Sequence, residues 1–329
     1  MKDIELICRI NKNWRPNNIK IKKAGGQTNR NWIVQHKNKK FFVRLPWERT
    51  DIVDRNVEAR NILAIAKCKK LKRILPKYYL YIFKGKNIFS SKKRFNLPDG
   101  TMILEYIEGK DIDGKDLERS KVQKSLLRTL HCFHTSGVKF VNPYDVFKDE
   151  VSKYRRKAKQ FHIDRLITKE EIKNIEEVKK IMKEKLRPGR AVSTHNDLIF
   201  ENLRLGKDGR VYLLDFEYAG FNIRNGLHYD LGIILGGNLF QKNPIKISTF
   251  EEILKRTKEI YKKELNDYKI YCGALTNILV MFWWGLVKYF SSTTKEEKRY
   301  FKNYVLKRAQ KIEFLFKFVK KKYKNKKEE

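Results

Sequence analysis

Hydrophobic and polar positions follow two rhythms along this chain, and the change falls near residue 108. Before it, apolar residues come in short runs. Trp32 to Gln35 and Phe41 to Leu45 flank a turn-like HKNKK, and Met102 to Ile107 forms a third run. Runs of this length bounded by turn residues predict strands, here of an antiparallel sheet. One helix interrupts them: Asp51 can cap it, Val53, Val57, Ile62 and Leu63 approximate one face, and Glu58 rides on it before the Pro76 region.

After residue 108 helical spacing prevails. Val122, Leu126, Leu127, Leu130 and Phe133 repeat on one face, as do Phe301, Tyr304, Val305, Ile312, Leu315 and Phe316 near the end. Tyr271 to Val287 carries no charge. It holds Thr276 and Asn277 and falls short of the ~20 apolar residues a membrane span requires, which predicts a buried helix and no transmembrane segment. The exception is AVSTHNDLIFENLRLGKDGRVYLLDFEYAG, where two apolar segments surround the turn Lys207-Asp208-Gly209. With no fixed-period repeat and no loose linker, the pattern predicts an α+β chain of two lobes. Residues 1–107 form a small antiparallel-sheet lobe with a hinge at 105–109, and residues 108–329 a larger, mainly helical lobe.

Composition narrows the class. A chain of 329 residues that is 41% hydrophobic has enough apolar surface for ordinary buried cores. Cys8, Cys68, Cys132 and Cys272 lie far apart and outside any C-x-x-C pair, which argues against a disulfide scaffold or structural zinc. Asp3, Glu5 and Arg9 interrupt the first residues, unlike a secretion signal, so a reducing cytoplasm is the expected compartment. The formal charge of +37 raises the question of nucleic acid or an anionic membrane. Lysine is scattered throughout and rises most at the tail KFVKKKYKNKKEE, so the excess names no partner. Nucleic acid is not expected, and transient contact of the tail with an anionic membrane is the one surface contact the charge suggests.

The candidate chemistry sits around the 207–209 turn. His195-Asn196-Asp197, then Asn202, then Asp215 gives H-x-D-x-x-x-x-N followed by an aspartate across a hairpin. Phosphoryl transfer needs a carboxylate to orient and deprotonate the acceptor hydroxyl, and oxygen ligands to hold Mg²⁺ on the phosphates. Asp197 supplies the base and Asn202 and Asp215 the metal ligands, on a catalytic loop at 195–202 and a metal-binding strand at 211–217. The competing reading makes them turn residues and a surface carboxylate. His195, next to the loop, is expected to brace the backbone.

Upstream, Ala24-Gly25-Gly26-Gln27-Thr28-Asn29 precedes a strand, and Gly25 and Gly26 would let backbone N–H groups approach phosphate, with Thr28 and Asn29 completing the turn. Next come a strand with the cation Arg44, a helix with Glu58, and the apolar run before Gly109, in the order of a kinase nucleotide lobe. Arg44 could neutralise the α- and β-phosphates with Glu58 holding it, or form a solvated surface pair. Backbone groups at Glu105 and Ile107 could meet the edge of adenine.

These residues carry a resemblance. STHNDLIFENLRL…VYLLDFEYAG resembles the catalytic loop and metal-binding strand of choline/ethanolamine kinases, within the aminoglycoside phosphotransferase-like group of protein-kinase-like fold. The likeness extends through GGQTNRNWIV, FFVRLPWERTDIVDRNVEARN, ILEYIEG, LHCFHTSGVKFVNPYDVF and FWWGLVKY, over most of residues 20 to 290. Arg44, where protein kinases carry lysine, and DFEYAG are typical of the choline kinase branch.

The resemblance implies ATP and Mg²⁺ as cofactors and choline or a related amino alcohol as substrate. It places Trp284 among the aromatic residues that enclose the cationic head group, with Glu217 near the same pocket. Trp283 is expected in the core. The chain departs from the family at Val287, where a second tryptophan is common, and at Gly236 and Gly237, where an acidic residue is common. Tyr229 and Asp230 match an aromatic–aspartate pair, Asp230 bracing the catalytic loop. The alternatives are a kinase for ethanolamine, thiamine or an aminoglycoside, or a basic nucleic-acid or lipid binder on a degenerate kinase fold. The intact set of Asp197, Asn202 and Asp215 argues against degeneration.

Overall fold

The computed structural model describes residues 2–11, 13–25, 29–46, 54–262 and 265–324, the side chains of 2 and 91–93 excepted. Helix α1 (Lys2–Ile10) precedes strands β1 (Ile19–Ala24), β2 (Asn29–His36) and β3 (Lys39–Pro46). His36 pairs with Lys39, so β2 and β3 are joined by a two-residue turn, with Lys37 at φ +54°. Turns of that hand match the twist of the strands they join. The strands expected at 32–35 and 41–45 are both present, and each is longer than its apolar run.

Helix α2 (Arg55–Lys67) starts at Asp54, whose side chain accepts the N–H groups of Asn56 and Val57. Asp51 and Val53, expected in that first turn, lie outside the described residues. The buried face of α2 holds Glu58, Ala59, Asn61, Ile62 and Ile65, while Val57 and Leu63 are only half-buried. The apolar pattern misses this orientation because two polar side chains are turned inward to partners. Asn61 donates to Ala219 C=O at 3.0 Å and to Asn142 Oδ1 at 2.8 Å.

Strands β4 (Tyr78–Phe83), β5 (Lys86–Asn87), β6 (Ser90–Arg94), β7 (Met102–Glu105) and β8 (Gly109–Asp111) follow. Then come α3 (Ser120–His134), β9 (Pro143–Tyr144), a π-helical turn at Phe147–Val151, α4 (Ser152–Ala158) and α5 (Lys169–Lys185). Strands β10 (Val192–Thr194), β11 (Leu203–Gly206), β12 (Val211–Leu213) and β13 (Gly220–Asn222) lead to α6 (Gly226–Gly236), α7 (Ile247–Tyr261), α8 (Asp267–Ser291) and α9 (Lys295–Tyr323).

Two compact units share this chain, each built from three segments. The first comprises Met1–Asp111, Arg128–Asn142 and Asn202–Ala219, and the second Ile112–Leu127, Pro143–Glu201 and Gly220–Glu329. The first unit contains a seven-stranded sheet in the order β1-β2-β3-β7-β4-β5-β6. Ile7, Ile10 and Trp14 pack with Val34, Val43, Leu45, Leu80, Ile82 and Ile103 as its core. A smaller sheet, β12-β11-β8, holds the hairpin whose turn is Lys207-Asp208-Gly209, with Gly209 at φ +76°. Gly109 is obligatory in β8, since a Cβ there would fall 2.0 Å from Leu205 C=O.

The second unit is mostly helical, with the three-stranded sheet β10-β13-β9. Its centre is α8, whose most apolar 18-residue stretch is 83% buried in the protein. Trp283 is fully buried there, as a core residue should be. Helices α6 and α8 meet through Gly232, Gly236 and Gly273; a Cβ at Gly236 would lie 2.3 Å from Ala274 C=O.

Candidate active site

In the first unit a buried charge cluster forms around Arg44. Its Nη2 lies 2.6 Å from Glu58 Oε1 and its Nη1 3.5 Å from Asp215 Oδ1, with side chains 2%, 0% and 31% exposed in turn. Arg44 Nε donates to Gly100 C=O at 3.2 Å. Glu58 Oε2 also accepts from Arg55 Nη1 and from the Tyr81 hydroxyl, each at 2.6 Å. Arg55 Nη2 continues to Asn29 Oδ1 at 3.0 Å, and Asn29 Nδ2 to Glu217 Oε2 at 3.3 Å.

Sheet and helix supply this cluster because β3 turns Arg44 inward and the first turn of α2 presents Arg55 and Glu58 three residues apart on one face. Burial opposes the charge on Arg44, but the charges of Glu58 and then Asp215 outweigh it and raise its pKa above the ordinary arginine value. Burial likewise opposes charge on Glu58, and Arg44, Arg55 and the Tyr81 hydroxyl bring its carboxyl below the ordinary range. Glu217 moves the other way: burial, then the negative charge of Asp215, push its carboxyl well up.

The hairpin holds the two expected metal ligands. Leu214 N–H donates to Asn202 C=O at 2.9 Å, which ties the residue before Asp215 to Asn202. Asp215 takes the left-handed backbone, φ +53°, a conformation costly for a non-glycine residue and concentrated at functional sites. Among the described residues no three His, Cys, Asp or Glu side chains converge as a metal cage. Mg²⁺ takes one or two protein oxygens, keeps waters and completes its shell with phosphate, so an amide oxygen and a carboxylate fit an ion that binds together with a nucleotide.

Of the other nucleotide-side residues, Gly26 and Thr28 lie outside the described residues. Gly25 C=O accepts from Asn31 Nδ2 at 2.8 Å, and a Cβ at Gly25 would meet open space. Glu105 N–H donates to Lys77 C=O at 2.8 Å, and Ile107 C=O accepts from Arg204 Nε at 3.0 Å. Arg204 also reaches Tyr106, Gly109 and Asp111, so one guanidinium clasps the whole 106–111 segment.

In the second unit Asp197 follows β10 on a braced loop. Asp230, on α6, accepts the backbone N–H groups of His195 and Asn196, both at 2.8 Å. Phe200 N–H donates to Asn238 Oδ1 at 2.7 Å, and Glu201 accepts from Gln241 Nε2 at 2.9 Å. Loop 195–201 is thus anchored at both ends by the segment that runs from α6 to residue 241.

Trp284, half-buried on α8, is surrounded by aromatic residues of α9. Phe301 stands edge-on to it at 5.6 Å and Tyr304 tilted at 5.5 Å between ring centroids. Burial pushes the Tyr304 phenol up, Arg308 opposes, and Tyr300, then Asp197 and Glu201, add to the rise. The Arg308 guanidinium lies 3.1 Å from the Tyr304 ring centroid and 4.3 Å from that of Phe240. Burial lowers it to about 10.

Sequence reasoning missed Arg55, Tyr81, Arg204, Tyr304 and Arg308 as members of these clusters. Phe301 and Tyr304 were visible only as apolar positions of a helix. A buried arginine such as Arg308 carries no signal that separates it from the solvated lysines around it.

The family model for choline/ethanolamine kinase matches residues 21–238. Among solved structures the chain is similar to choline kinase LicA from Streptococcus pneumoniae, with 19% identity over 94% of this chain and 100% of that one and a TM-score of 0.69. LicA has also been solved in complex with AMP. It is similar to choline kinase from Cryptosporidium parvum, with 17% identity over 98% and 97% of the two chains and a TM-score of 0.70. An ethanolamine kinase from Plasmodium vivax gives 17% identity over 94% and 88%, with a TM-score of 0.67. No curated protein sequence matches the chain. These likenesses establish the kinase-like α+β fold expected from the sequence. With the family model running from β1 to the end of α6, the chain is a small-molecule phosphotransferase and belongs to the choline/ethanolamine kinase family.

Proposed function

We propose that this protein transfers the terminal phosphoryl group of ATP to the hydroxyl of choline or a related small amino alcohol. One observation carries the acceptor side of this reading: Phe301 and Tyr304 stand around the half-buried Trp284 at 5.6 and 5.5 Å, an aromatic wall in the same compact unit as the loop that holds Asp197. A π face binds an alkylammonium head group, and a carboxylate next to it can take the proton of the attached hydroxyl.

Asp197 orients the hydroxyl and accepts its proton as oxygen attacks phosphorus. Arg44, held cationic by Glu58, offsets charge on the phosphates, and Gly25 lets the backbone approach them. Mg²⁺, when bound, would neutralise the phosphate oxygens, with Asn202 and Asp215 as its protein ligands. The adenylate-bound form of the pneumococcal choline kinase supports an adenine nucleotide as the donor.

Ethanolamine, thiamine or an aminoglycoside is the second reading, favoured by Val287 at the position where a further tryptophan is common in the family. The test is ATP consumption with each acceptor, for the wild type and for Asp197→Asn. We expect turnover of choline and a loss in kcat of about 10²–10⁴-fold in the variant. Full activity in Asp197→Asn would remove it as the base, and preference for ethanolamine, thiamine or an aminoglycoside would reassign the acceptor.

A further inference from the structure

We propose that Lys288 sets the affinity of the acceptor site, as a resident cation on the face of Trp284 that weakens the binding of a cationic head group there. The inference rests on the reading above, in which Trp284 faces the acceptor. Lys288 lies one helical turn beyond Trp284 on α8, and its Nζ is 5.6 Å from the indole centroid. Residues four apart on a helix share a face, so this placement follows from the backbone.

The other groups around the indole are Phe301 and Tyr304, edge-on and tilted. The neighbouring ring of Tyr304 already carries the guanidinium of Arg308, whose Nη1 is fixed on Tyr304 C=O at 3.0 Å. Arg308 is buried and held, whereas Lys288 is half-buried on a flexible stem. A quaternary ammonium that settles on Trp284 therefore competes with Lys288 for the π face and meets its charge at short range. Both effects discriminate against cations by repulsion rather than by loss of contact.

The test is Lys288→Met, which keeps the apolar stem and removes the charge. Steady-state KM and kcat are measured for choline and ethanolamine, and KM for ATP, in the wild type, Lys288→Met and a control, Lys298→Met. Lys298 lies over Tyr289 at 5.5 Å and reports the effect of losing one lysine from a chain of charge +37. We expect KM for choline to fall about three- to tenfold in Lys288→Met alone, with kcat and the KM for ATP unchanged. A purely structural role cannot lower KM for one substrate.

Unchanged or raised KM for choline in Lys288→Met, with the wild type active on choline, overturns the role of Lys288 and leaves the kinase reading intact. An equal fall in Lys298→Met overturns it as well, since the effect would be general charge. Absence of turnover with every amino alcohol in the wild type overturns the acceptor assignment and this proposal with it.

Discussion

Asp230 Oδ1 accepts the backbone N–H of Asn196 at 2.8 Å and fixes the residue before Asp197 in the left-handed conformation, φ +65°. The Asn196 side chain is held too, its Oδ1 accepting from the Thr194 hydroxyl at 2.7 Å and from Asn222 Nδ2 at 3.0 Å. The proposed base therefore follows a residue held by hydrogen bonds through both backbone and side chain, and positioning of this kind is where kinases gain most of their rate.

Asp230→Ala leaves two buried N–H groups without their carboxylate. We expect a loss of about 3 kcal/mol or more in stability, and a fall in kcat larger than any rise in KM. Asp230→Asn, which keeps one acceptor oxygen, should fall between. Urea denaturation alongside kinetics checks this, and wild-type values for both in Asp230→Ala would show that the bracing is dispensable.

The Arg44–Glu58 pair predicts an acid-side stability limit. A glutamate in the unfolded chain titrates near ~4.3, and Glu58 in the folded protein lies lower. The native state binds fewer protons in that window, so the stabilisation is present above ~4.3 and is lost as pH falls through the folded value. Glu58→Gln should flatten the pH dependence of the urea midpoint below about pH 4.5. Arg44→Met, which strands a buried carboxylate, should cost about 3–5 kcal/mol at pH 7. A pH profile identical in wild type and Glu58→Gln would contradict the pair's part in stability.

Glu150 predicts the opposite slope. It sits in the π-helical turn, accepts from the Tyr144 hydroxyl, and burial pushes its carboxyl up to about 7, with Asp149 adding and Tyr144 and Lys153 opposing. The folded protein then holds a proton that the unfolded chain releases near ~4.3, so stability falls as pH rises from about 4.5 to 7 and levels above that. The full effect is on the order of 3 kcal/mol, and Glu150→Gln should abolish it. Denaturation midpoints at pH 5, 6, 7 and 8 give the answer; a wild type more stable at pH 8 than at pH 5, with Glu150→Gln unchanged, would rule it out.

The family resemblance leads one to expect an acidic residue where this chain has Gly236 and Gly237. A Cβ at Gly236 would lie 2.3 Å from Ala274 C=O, so the close approach of α6 and α8 leaves no room for a side chain there. Gly236→Ala should cost about 1–3 kcal/mol through overpacking, and Gly236→Asp more. Thermal melts of both variants check the order, and a Gly236→Asp protein as stable as the wild type would mean the helices can part cheaply.

Much of this was legible in the chain. The hairpin around Gly209 and the helical runs of α3 and α9 follow from period and turn chemistry, which are local properties. His195, Asp197 and Asn202 lie within one short segment, so their order could be read directly. The partners of Glu58 could not: Arg44 and Tyr81 meet it only because β3, α2 and β4 are packed together, and an ion pair between distant segments leaves no periodic trace. The face of α2 was misplaced for the same cause, since Asn61 is buried by its hydrogen bonds and not by its hydropathy.

Strand β8 pairs with β11, Gly109 opposite Gly206 and Asp111 opposite Arg204. A ribosome delivers these partners far apart in time. At ~5–20 residues per second, roughly 5–20 s separate the emergence of β8 from that of the hairpin that completes its sheet. For that interval the nascent first unit carries an unfinished edge at β8, with residues 106–111 still awaiting the grip of Arg204. A stop codon between them would leave the chain with one strand of this three-stranded sheet and without Arg204, so the 106–111 segment would lose its clasp and its sheet partner together.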